Sequence, residues 1–137
     1  SSAASDVYKR QVMETMRGEK VDVAFFPVDP RLGMMFDAGP NYFAMVVKPR
    51  LMIPMHFWER AEVIREYARR SRSPQTEIIA MTTPGDMILL EFDEQENMTV
   101  HMQSVTSAPV ARNKKVQLEA YDGENPFNDS DLPVDME

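Results

Sequence analysis

Val21-Asp-Val-Ala-Phe-Phe-Pro-Val28 and Arg50-Leu-Met-Ile-Pro-Met55 are short runs rich in β-branched, aromatic and thioether side chains, each carrying a proline near its end. Apolar residues fall on both faces of these runs, so they read as interior strands of a layered α/β structure rather than as half-exposed ribbons. Between them, Asp29-Pro30-Arg31-Leu32-Gly33 is a turn. Asp37, Gly39 and Pro40 mark a helix start, Phe43, Val46 and Val47 give a short apolar stripe, and Lys48-Pro49 stops it. Strand, helix and strand in this order predict a crossover between neighbouring parallel strands, right-handed in nearly all such units. Ligands in open α/β sheets gather beyond the carboxyl ends of the strands. Asp29 follows the first strand and His56 the second, which sets an acid and an imidazole on the same sheet edge.

Working outward, residues 1–11 are small and polar with no apolar period, and they read as a non-native or disordered leader. Tyr8 to Gln11 is also consistent with the start of a helix. Val12, Met13 and Met16 give a helical pattern closed by Gly18. Downstream, Glu59 to Arg70 is the strongest helix, with Ala61, Ile64, Tyr67 and Ala68 on one face. Glu77–Met81 and Met87–Phe92 read as strands, and Thr82-Thr-Pro-Gly-Asp86 between them predicts that they form a β-hairpin. Met98–Val105 reads as an edge strand and Val116–Ala120 as a weaker one. From Asp122 the chain is rich in Asp, Asn and Pro, the composition of a disordered tail. The resulting organisation is a leader over 1–11, an α/β domain over 12–120 and an acidic tail over 121–137.

The chain has 137 residues, with 43% hydrophobic and 27% charged side chains, enough for one packed domain. Seven of its 22 acids lie from Glu119 onward with no base among them, leaving 15 acids against 15 bases in the body. A neutral body with an acidic tail argues against nucleic-acid binding, which requires a basic face. Arg65, Arg69, Arg70 and Arg72 do cluster; they suit the negative end of a helix dipole, and a phosphate patch is the other reading. No apolar run reaches the length of a membrane span and no secretory h-region opens the chain, which points to the cytoplasm. There is no cysteine, hence no disulfide and no thiolate chemistry. The 12 methionines are unclustered and read as core filler.

His56, in Ile53-Pro-Met-His-Phe-Trp58, stands where a strand gives way to a loop. It is free there to ligate a metal or transfer a proton, or else it packs between Met55 and Trp58 with its nitrogens bonded to backbone. Asp29 and Arg31 are either site residues or plain turn chemistry. His101 reads as a strand-surface residue without a nearby acid. Glu91, Asp93, Glu94 and Glu96 lack the order of a calcium loop and read as a solvated turn. Neither a phosphate-cradling glycine loop nor a Gly-x-Ser-x-Gly elbow is present.

Val21 to Arg31 followed by Lys48-Pro-Arg-Leu-Met-Ile-Pro-Met-His-Phe-Trp58 resembles the C-terminal part of a metallo-β-lactamase-superfamily hydrolase, in the branch of ascorbate-phosphate lactonases. The resemblance covers roughly residues 12–92. It implies the C-terminal half of an αββα sandwich and makes His56 the last ligand of a two-metal site, usually zinc. The Pro27-x-Asp29-Pro-Arg31 pattern implies Asp29 as a carboxylate orienting an imidazole and Arg31 as a contact for an anionic substrate. Trp58 becomes a substrate-facing aromatic. The family's His-x-His-x-Asp-His motif is absent, and Gly85-Asp86 follows His56 instead of preceding it. The resemblance therefore implies a fragment, cut at or before Val12, of a cytosolic enzyme that acts on a small-molecule ester, lactone or phosphoester. By itself such a fragment should be inactive, since a catalytic zinc needs about three protein ligands. The alternative is a small non-catalytic α/β binding module whose acidic tail meets a protein partner. A half-sandwich should also expose an apolar face, which a homo-oligomer would bury.

Overall fold

A computed structural model describes residues 2–106 and 110–113. The weak strand expected at Val116–Ala120 and the acidic tail lie outside them. The chain is mixed α/β, with a small parallel sheet and a separate antiparallel hairpin. Its described residues divide into two compact units, the larger holding residues 2–80 and 111–113 and the smaller residues 81–106 with 110.

In the larger unit the elements are helix α1 (Ser2–Thr15), strand β1 (Val23–Pro27), a 3-10 segment (Pro30–Met35), helix α2 (Ala38–Val47), strand β2 (Leu51–Met55), helix α3 (Ala61–Arg70) and strand β3 (Glu77–Ile78). The sheet order is β1-β2-β3, all parallel, with Val23 opposite Leu51, Pro27 opposite Met55 and Leu51 opposite Glu77. Both connections are strand–helix–strand crossovers. Proline at 27 and 54 withholds a donor near each strand end, yet the ladder runs on, with the Val28 N–H donating to the Met55 carbonyl at 2.9 Å. The far edge of β3 is closed by residues 111–113. The Asn113 side chain accepts from the Ile78 N–H at 2.8 Å and donates to the Thr76 carbonyl at 3.0 Å. On the other side, β1 has no neighbouring strand among the described residues.

The core follows from alternation along the strands. Ala24, Met52 and Ile78 are buried on one face together with Phe43, Val46 and Val47 of α2 and Ile64, Tyr67 and Ala68 of α3. Phe26 stacks on Phe43 with ring centroids 4.5 Å apart. Four of the five residues of β2 are buried, as the run of apolar residues without alternation requires.

Helix α1 spans most of the segment that composition had marked as a leader, and its end carries Gly18 at φ +86, the left-handed turn that glycine permits. It docks through Glu14, whose carboxylate takes the Tyr42 phenol at 2.8 Å and the Arg17 guanidinium at 2.8 and 2.9 Å. These hydrogen bonds, Arg17 first, hold the Glu14 carboxyl down at about 2.

The hairpin sits elsewhere than Pro84-Gly85 indicated. Those residues do turn, with the Asp86 N–H donating to the Thr83 carbonyl at 3.1 Å and Gly85 at φ +94. They lie within the smaller unit, however, and do not fold β3 back on the next strand. Residues 77–80 are all buried, so they are held in the parallel sheet beside β2. Strand β4 (Met87–Phe92) pairs instead with β5 (Met98–Gln103), Leu90 opposite Val100. The acid-rich connection closes on Asp93, whose carboxylate accepts from the N–H of Gln95 and Asn97 at 2.9 and 2.8 Å.

Two outcomes follow. Ile64→Ala, which empties a fully buried position in α3, should lower unfolding free energy by about 2–5 kcal/mol in urea titration. Because Glu14 is depressed in the fold, its contribution is complete above its ordinary value of 4.5 and is lost as pH falls towards about 2. Tyr42→Phe should move the Glu14 midpoint upward in an NMR titration.

Candidate functional site

The carboxyl ends of β1 and β2 are adjacent, and the residues that follow them converge. The Asp29 carboxylate caps the 3-10 segment, accepting from the Arg31 N–H at 2.9 Å. The Arg31 guanidinium returns over the same carboxylate, with Nε 3.0 Å from both oxygens and Nη2 2.7 Å from Oδ2. That guanidinium lies 4.9 Å from the ring centroid of Trp58. Asp29, Arg31 and Trp58 thus form one stack, although Arg31 and Trp58 are 27 positions apart in the sequence.

His56 joins it through charge. The Asp29 carboxyl is held below its ordinary 3.8, mainly by the Arg31 side-chain and backbone hydrogen bonds, with partial burial opposing and a lesser electrostatic pull from His56. The His56 side chain is exposed and makes no hydrogen bond or ion pair with any described residue. Of the two readings of His56, the one with its nitrogens tied to backbone is therefore not what the fold adopts. Asp29, in turn, spends its hydrogen bonds on Arg31 and not on the imidazole.

The loop that presents these groups is strained. His56 and Trp58 both occupy the left-handed region, at φ +58 and +56. Such a conformation costs an L-residue about 1–2 kcal/mol. Between them Phe57 packs against the core, and its carbonyl accepts from the Arg60 N–H at 2.9 Å. Phe57 is partly buried between two exposed neighbours that both hold this conformation. Strained backbone of this kind concentrates at functional sites.

Around this edge, Leu32 (58%), Met34 (94%) and Trp58 (64%) are unusually exposed for apolar side chains, as is Phe25 (62%) on β1. Among the described residues no group of three or more His, Asp or Glu is arranged to hold a metal ion. One imidazole, beside a carboxylate already saturated by arginine, does not by itself meet the donor set of zinc. Nor is any helix among the described residues long and apolar enough to cross a membrane.

His101 has a partner that its sequence neighbours did not suggest. Its Nε2 lies 2.9 Å from Glu91 Oε1, diagonally across the β4–β5 ladder where Leu89 faces His101 and Glu91 faces Thr99. The β4–β5 register brings this pair together across ten positions of sequence.

Searches of protein-family models, of curated proteins and of solved structures found no match to this chain.

Arg31→Leu should raise the Asp29 midpoint toward 3.8 in a carboxyl-detected NMR titration. Since the folded value is the lower one, the stability supplied by Asp29 is present above 3.8 and disappears as pH falls through the depressed value. His56→Gly, which relieves the left-handed strain, should leave stability unchanged or raise it by up to about 1 kcal/mol. A loss of several kcal/mol in denaturant unfolding would mean that the imidazole is a packing element.

Proposed function

We propose that this chain is part of a metal-dependent hydrolase of the metallo-β-lactamase type, to which His56 contributes one metal ligand. The observation that carries the reading is the exposed, unbonded imidazole on a strained loop at the carboxyl end of β2, beside the Asp29–Arg31 pair at the end of β1. The order of the two proline-bearing strands around α2 supports it as well. The remaining ligands, for two zinc ions or another divalent pair, must come from outside the described residues. When bound, such a metal pair would supply an activated water for hydrolysis of an ester, lactone or phosphoester.

The chain's own residues have narrower tasks in this scheme. Asp29 holds Arg31 in one orientation, and Arg31 lies over the Trp58 ring, so that a cationic and an aromatic surface stand together beside His56. An anionic substrate with an apolar portion suits that combination. Arg31 is well exposed, its side chain retaining 69% of its accessible surface, and keeps donors to offer beyond those given to Asp29.

A second reading has its own support. The larger unit carries a packed core of its own, as a small α/β binding module would. The apolar side chains exposed on β1 and the 3-10 segment would then receive a protein partner or a second copy of the chain.

The two separate at the nucleic acid upstream of the Val12 codon. An open frame encoding His-x-His-x-Asp-His followed by Gly-Asp supports the hydrolase; a stop codon just before Met13 removes it. In a longer product, His56→Ala should lower metal content and cut hydrolysis by about a hundredfold or more, and Asp29→Asn by about tenfold. Unchanged metal content and rate in the His56 variant would leave the binding module.

A further inference from the structure

A cleft of about 660 Å3 lies at the other end of the parallel strands, independent of the hydrolase reading. It is walled by one side of α2 from Asp37 to Lys48, by the last turn of α3 and by the segment that leads into β3. The arginine run that looked like a solvated helix end contributes Arg70 and Arg72 to it, and Lys48 enters from α2. Lys48 is placed by the left-handed cap of that helix, at φ +54, and its N–H donates to the Ala44 carbonyl at 3.1 Å.

The charges there do not cancel. Arg70 is committed, donating to Asp37 at 2.6 Å and stacking 4.9 Å from the Phe36 centroid. The side chains of Lys48 and Arg72 are exposed and form no ion pair or hydrogen bond with any described residue. Two helix carboxyl ends, each worth about half a negative charge, and Asp37 offset at most about two of the three cations, and the amino end of α2 at Asp37 adds about half a positive charge. An excess of at least about one positive charge remains, carried on two unpaired side chains.

Two buried hydroxyls in the wall are also unpaired. Tyr67 and Thr76 are each 1% exposed, and neither Tyr67 Oη nor Thr76 Oγ1 has a hydrogen-bond partner of normal geometry. The Ser71 hydroxyl is near enough to Tyr67 to act on it weakly, but burial and then the Asp37 charge dominate and push the phenol up, so it stays a donor. Buried polar groups are ordinarily satisfied, and a group left without a partner calls for an explanation such as a missing ligand.

We propose that this cleft binds a small molecule through a terminal oxyanion, a carboxylate or a phosphate, held by Lys48 and Arg72 and by the hydroxyls of Tyr67 and Thr76. Arginine and lysine here supply charge-assisted donors, and a volume of this size leaves room for more than the anion alone. The exposed Met45 side chain on the same wall would lie against an apolar remainder. Both residues line the cleft with their hydroxyls just beneath its surface, so a small side-chain adjustment would bring them to the ligand.

The test is a 1H–15N NMR titration of the whole 137-residue chain with phenyl phosphate and with benzoate, against sodium chloride at matched ionic strength. Saturable shifts confined to residues 44–48 and 70–76 are expected with at least one of the two. The tighter probe identifies phosphate or carboxylate as the preferred anion. Lys48→Gln and Arg72→Gln should each weaken binding by about fivefold or more, and Tyr67→Phe or Thr76→Val by about twofold. The two glutamine changes are at exposed positions, and an unchanged melting temperature would show that the fold survives them. Shifts that sodium chloride reproduces, or binding that persists undiminished in the Lys48→Gln/Arg72→Gln double variant, would overturn the proposal.

Discussion

Parallel pairing of β1 with β2 is the constraint from which the rest of the larger unit follows. Parallel neighbours cannot be joined by a tight turn, so the chain must leave the sheet and return, and α2 is the return path. That excursion puts an apolar helix face over Ala24 and Met52 and begins the core. The step is then repeated, with α3 carrying the chain from β2 to β3. Burying β2 between two neighbours accounts for its unbroken apolar composition and for the tolerance of Pro54, which lies beyond the two residues paired with β3.

The same constraint separates two chemistries in space. Every parallel strand delivers its carboxyl end to one edge, where Asp29, Arg31, His56 and Trp58 meet on connecting segments. The helices run back and deliver their carboxyl ends toward the opposite edge, where basic side chains and the cleft lined by Tyr67 and Thr76 are found. One edge therefore carries an imidazole with an arginine-clamped carboxylate, and the other an excess of cations. Neither arrangement requires a special loop. Both are consequences of repeating one crossover with different residues at the joints.

Strain is placed unevenly along these joints. Lys48 occupies the left-handed region as a helix cap, an ordinary use of that conformation, where its N–H satisfies a helix carbonyl. His56 and Trp58 occupy it outside any helix cap, on either side of the partly buried Phe57, which is a costlier use and one shared by two bulky side chains. The packing of Phe57 and the stacking of Arg31 on Trp58 are what hold this loop in place.

Local pattern alone was sufficient for the two strands around α2, for α3 and for the shared edge of Asp29 and His56, because periodicity and proline or glycine punctuation are short-range signals. The turn at Pro84-Gly85 was equally legible, but which strands it joined was not: Glu77–Ile78 pairs with β2 across an intervening helix, a long-range choice settled by burial on both faces. Composition gave residues 1–11 no apolar period, and the helix there was legible only as an alternative start at Tyr8–Gln11; α1 is held by contacts at its far end, here Glu14 with Tyr42. The pairing of His101 with Glu91 needed the strand register. The clamp of Arg31 between Asp29 and Trp58, the freedom of the His56 ring and the unpaired hydroxyls of Tyr67 and Thr76 needed the packed chain. Residue type and spacing determine which local elements can form. The company a polar group keeps depends on which distant segments pack beside it, and that was decided only by the tertiary structure.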